Sequence, residues 1–93
     1  MAVKTMKDGT KLYPVCNWEE NQHKIVTAYT KALLRRDEAY ESGVGIDEAE
    51  ANFEQMEQAR QWIDNVGRDG IVYAPYPMYQ LLRDTIGAYD LTH

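Results

Sequence analysis

"SGVGID", residues 42–47, interrupts an otherwise continuous helical pattern that runs from Trp18 to Val66. Two glycines around one valine stop a helix, because glycine alone enters the left-handed C-terminal conformation without strain. A link this short makes the helices on either side antiparallel neighbours, so the middle of the chain reads as an αα-hairpin.

Upstream, Asn17 is a good N-cap, with Glu19 and Glu20 in a first turn whose dipole favours anions. At 100° per residue, Trp18, Ile25, Val26, Ala28, Tyr29, Ala32, Leu33, Ala39 and Tyr40 fall on one arc and are expected to be buried. Downstream, Asp47 is read as the N-cap of a helix from Glu48 to Val66, with Glu50 completing a capping-box-like pair. That helix is expected to bury Ala49, Phe53, Met56, Ala59, Ile63 and Val66.

The N-terminal AVKTMKDGTKLYPV reads as a β-hairpin turning at Asp8-Gly9, a preferred pair for a type I′ turn. Pro14 lacks an N–H, so the return arm is expected to lie at a sheet edge or to end there. After a turn at Gly67-Arg68-Asp69-Gly70, residues 71–74 are β-branched and aromatic, a candidate third strand beside the hairpin. Pro77 suits the first position of a third helix. In it, Tyr79, Leu82, Ile86 and Tyr89 form an apolar stripe, and Gly87 weakens the last turn. The expected class is α+β, mostly helical: an N-terminal hairpin packed on a helical hairpin and a C-terminal helix, all in one domain spanning residues 1–93.

Bulk properties narrow the function. Fifteen acidic residues against ten basic ones leave a formal charge of −5. Such a field disfavours direct nucleic-acid binding and favours a partner with a basic surface. Nothing is apolar for long enough to span a membrane, and the first residues lack a secretory signal. One cysteine, Cys16, fits a reducing, cytoplasmic setting and is expected to be buried. No phosphate loop, CxxC, HExxH or GxSxG is present, and His23 falls on the water-facing side of its helix. We therefore expect no catalytic residue, no metal site and no cofactor.

Two constellations remain. Glu50, Glu54, Glu57 and Asp64 share an ~80° band of the second helix, a line of negative potential. With Tyr76, which sits between prolines with no periodic role, and Tyr73, whose role depends on whether residues 71–74 form a strand, they are the expected partner-binding residues. Tyr29, Arg36 and Tyr40, joined by Tyr73 and Tyr76, form the alternative: an aromatic and cationic pocket for a nucleotide-like anion. Arg36 and Arg60 sit among apolar positions, and Arg36 is expected to pair across the hairpin with Glu50 or Glu54.

The favoured function is a small acidic protein-binding module that occupies a basic, nucleic-acid-binding surface. In size and charge, though in no motif, the chain is similar to inhibitors encoded by phages and mobile elements, anti-CRISPR proteins among them. The alternatives are an oligomeric protein that sequesters a small anion, and a helical dimerisation subunit, a homodimer.

Overall fold

The computed structural model describes residues 3–66 and 70–93. Its elements are β1 (Lys4–Thr5), β2 (Lys11–Asn17), α1 (Trp18–Ser42), α2 (Ile46–Val66), β3 (Ile71–Ala74) and α3 (Tyr76–Thr92). The architecture is α+β and mostly helical: a three-stranded antiparallel sheet ordered β1-β2-β3, and three helices. Residues 71–74 are indeed the third strand. Most of the turn proposed at residues 67–70 lies outside the described residues.

β2 is the central strand, not an edge, despite Pro14. The reason is the length of β1. It pairs only with Lys11 and Leu12, so Pro14 lies past its reach. On the other side the register between β2 and β3 slips between Pro14 and Cys16. A missing N–H is tolerated where the ladder is already irregular.

The turn also differs from expectation. Met6 O accepts from Gly9 N at 3.0 Å, and Met6 N donates to Thr10 O at 2.8 Å. Gly9 has φ +92°, while Asp8 is not left-handed, so the loop is three residues with glycine in the bulge position. The Asp8 carboxylate accepts from Thr10 N at 2.9 Å and locks it.

α1 starts where the cap predicts, with Asn17 Oδ1 accepting from Glu20 N at 3.2 Å. It ends at Gly43, φ +73°, whose N–H donates to Ala39 O at 2.8 Å. α2 begins at Ile46, two residues ahead of the expected start. Ala49 N donates to Gly45 O at 3.0 Å, so Asp47 stands inside the first turn rather than capping it. α3 likewise begins one residue early, at Tyr76, which places Pro77 second, and it continues past Gly87 to Thr92.

The core gathers where the sheet meets the helices: Val15, Trp18, Ile25, Ala59, Ile63, Val72, Ala74, Leu82 and Ile86. Trp18 N donates to Gly70 O, just ahead of β3, and Trp62 Nε1 donates to Tyr73 O within it, both at 2.8 Å. Farther along the hairpin, buried alanines (Ala32, Ala39, Ala49) let the two backbones approach closely. The expected arcs are wider than the covered area. Val26, Tyr40 and Val66 are 55%, 55% and 44% exposed, because α2 and α3 cover only part of each helix surface.

Candidate interaction surface

The hairpin has two flanks. One faces α3 across an open groove of about 430 Å³. α1 lines it with Lys24, Lys31 and Arg35, and α2 with Asn52, Gln55 and Met56. Lys24 Nζ reaches Asp90 Oδ1 on α3 at 2.7 Å. The hairpin continues past Arg35 and Asn52 to its glycine turn.

The other flank carries both sequence-derived constellations, and they meet. Arg60 lies 5.3 Å over the Tyr29 ring, Tyr29 contacts Phe53 at 5.5 Å, and Arg36 lies 4.2 Å over Phe53. The contacts zigzag across the seam as a ladder of cation, ring, ring and cation. Arg36 therefore does not form the expected ion pair with Glu50 or Glu54. Its only carboxylate contact among the described residues is Asp37 on its own helix, at 4.0 Å. The stagger of the helices sets Phe53 beneath the guanidinium, and a ring face takes the place of a carboxylate.

Glu57 is tied into this ladder. Tyr29 Oη donates to Glu57 Oε2, and Arg60 Nη2 donates to Glu57 Oε1, both at 2.7 Å. The Tyr29 hydrogen bond and then Arg60 hold its carboxyl below the ordinary carboxylate pKa. The same bond, with burial, pushes the Tyr29 hydroxyl above its ordinary value. A lowered carboxyl pKa contributes stability that is present above the unfolded-state value and is lost as pH falls through the folded one. Replacing Tyr29 with phenylalanine should thus move the Glu57 titration upward, toward an ordinary glutamate, in a carboxyl-carbon NMR titration. An unmoved midpoint would mean that the bond is not formed in solution.

The negative stripe is thereby divided. Glu57 is already neutralised in part, whereas Glu50 and Glu54 have no ion-pair partner among the described residues. Asp64 is one of the residues that line a 170 Å³ cavity, with Trp18, Ile25, Val26, Tyr29, Arg60 and Ile63 among the others. The anion pocket foreseen from five residues is also divided. Tyr29 and Arg36 belong to the ladder, and Tyr40 is exposed on α1. Tyr73 carries Lys4 over its ring at 4.2 Å. Tyr76, 60% exposed, packs with Tyr13 and Tyr79 at the start of α3.

Cys16 is half-buried rather than buried. Burial raises its thiol pKa against the opposing pull of Arg83 and Lys24, so it is a thiol rather than a nucleophilic thiolate at neutral pH. His23 is exposed and meets the Tyr89 ring edge-on at 5.4 Å. Among the described residues no cluster of three metal-ligating side chains occurs, and no helix is long and apolar enough to cross a membrane.

One feature escaped the wheel-based reading although it is plain in the sequence. Residues 37–59 hold eight carboxylates and no lysine or arginine. The remaining residues hold ten basic and seven acidic side chains, a net of +3. The structure gives this run a location: the end of α1, the glycine turn and most of α2. Since 25 residues of α1 span ~37 Å of a molecule 45 Å long, the acidic turn and the sheet lie at opposite ends. Compared with protein-family models, with curated proteins and with solved structures, the chain has no match.

Proposed function

We propose that the chain is a protein-binding module whose acidic hairpin occupies a basic surface of its target, one that otherwise holds nucleic acid. The observation that carries this reading is the base-free run of residues 37–59 on a projecting pair of helices. Opposite potential steers association and fixes register, and a surface that holds nucleic acid is basic because it must neutralise phosphates. The inhibitors of phages and mobile elements, anti-CRISPR proteins included, are the functional class this reading points to, acting in a reducing cytoplasm. Glu50 and Glu54 are the side chains we assign to the contact, and Tyr73 and Tyr76 lie at the sheet end, outside it.

Glu50→Lys combined with Glu54→Lys tests this without touching the ladder, whereas Glu57→Lys would break the bonds to Tyr29 and Arg60. Exposed pairs are each worth about 0.2–1 kcal/mol, and reversal replaces attraction with repulsion. The expected weakening is therefore about tenfold to hundredfold. The assay is capture of proteins from host lysate at low salt, followed by elution with a single-stranded oligonucleotide. Wild type should retain a protein that the oligonucleotide releases, and the double variant should bind that protein at least about tenfold more weakly. Retention that neither the oligonucleotide nor the double variant affects would overturn the proposal.

A further inference from the structure

The outer trough between α1 and α2 has features that charge alone does not require. On α1, Val26, Leu33 and Tyr40 recur every seven residues, so they form a row that drifts only ~20° per repeat. Two of the three, Val26 and Tyr40, are 55% exposed, and Leu33 is half-buried. On α2, Glu50, Glu57 and Asp64 recur with the same spacing. Both rows advance ~10.5 Å per repeat, and the contacts of Tyr29 with Phe53 and Glu57 show that they border one trough. None of these residues lines the groove between the hairpin and α3. Toward the sheet, three residues of the trough, Val26, Tyr29 and Arg60, also line the 170 Å³ cavity, together with the buried Trp18.

We infer that this trough receives an amphipathic helix of the basic partner, laid along the hairpin opposite α3, with one of its apolar side chains seated in the cavity beside Trp18. This rests on the function proposed above and specifies the form of the partner. Three observations support it. The seven-residue spacing of the α1 row matches the i, i+7 repeat of a visiting helix packed nearly parallel to α1, the helix-in-groove mode of recognition. A cavity of roughly 150 Å³ holds a benzene-sized group, so 170 Å³ admits one aliphatic or aromatic side chain. By the 100° step of a helix, Glu50 and Glu54 fall beside Glu57 on α2, and Asp37 and Glu41 beside the Val26 row on α1, so both flanks of the visitor are basic. The two arginines within the trough, Arg36 and Arg60, are held on Phe53 and on Tyr29 and Glu57.

The test uses two synthetic peptides of identical composition, leucine and lysine in equal register to a helix. In one the leucines form a single face, and in the other they are scattered. Each is titrated into the full chain, followed by peptide anisotropy and by tryptophan emission, since Trp18 walls the cavity. The amphipathic peptide should bind at least tenfold tighter than the scattered one and perturb the emission. The variant Val26→Glu/Tyr40→Glu gives a readout whose sign separates the two ideas. Both positions are half open to solvent, so folding is retained, and each substitution adds a negative charge. A partner held by charge alone binds this variant more tightly, whereas a seated helix binds it at least tenfold more weakly. Equal binding of the two peptides, or tighter binding by the variant, overturns the seated helix and leaves the basic-partner reading standing. Binding of neither peptide at low salt overturns both.

Discussion

Trp18→Ala is expected to lower the unfolding free energy by about 3–5 kcal/mol, as for other large aromatic truncations in cores. Trp18 is 7% exposed and belongs to the cluster where α1 leaves the sheet. It also forms one wall of the existing 170 Å³ cavity, so its removal enlarges a void that neighbours have not closed. Dispersion contacts on that side are lost outright rather than replaced. The measurement is urea denaturation of the variant beside Trp18→Phe. The phenylalanine variant keeps a ring in place and should recover more than half of the loss. A loss below about 1 kcal/mol for the alanine variant would mean that this wall is not packed as described.

Leu82→Ala should cost about 2–5 kcal/mol. Leu82 is 1% exposed, on the face of α3 that meets the sheet and both other helices through the shared core. Two strands and three helices converge there, so closing the void left by the truncation would require several of them to shift together. At roughly 4–8 °C per kcal/mol for a domain of this size, a mid-range loss of about 3.5 kcal/mol lowers the melting temperature by about 14–28 °C. Leu91→Ala on the same helix supplies the control, because Leu91 is 90% exposed and its truncation should fall within about 0.5 kcal/mol. Equal shifts for the two leucines would contradict the orientation of α3.

The contrast between these two leucines shows how much of the fold the amino-acid order contains. Leu82 and Ile86 repeat at helical spacing and are buried as that spacing implies. Gly43 and Gly45 with Asn17 placed the hairpin and one helix start, since caps and left-handed turns are decided by the residues at the site itself. Properties that depend on a second element were harder to read. Pro14 looked like an edge residue because nothing local reveals that β1 is only two residues long. Arg36 was assigned a carboxylate because a helical wheel gives direction but not the stagger between helices, and that stagger brought Phe53 instead.

The candidate surface divides along the same line. The band containing Glu50, Glu54, Glu57 and Asp64 was visible from periodicity, and so was the proximity of Tyr29 to Arg36. That Tyr29 and Arg60 would converge on Glu57 was not visible, because the bond joins residues 28 apart in the chain. The charge run at residues 37–59 is hidden from a helical wheel for a different reason. A wheel sorts side chains by face and discards their position along the axis, and it is along the axis that the charge is segregated.

That segregation makes the molecule an electrical compass needle. With eight negative groups toward one tip and a surplus of three positive ones over the remainder, its centres of charge are displaced along its 45 Å length. An external field then exerts torque as well as pull. Near a cationic surface, the molecule turns before it touches, and it arrives turn-first more often than random tumbling would deliver it. High ionic strength shortens the reach of that torque to a few ångströms and leaves the molecule to find its orientation by collision alone.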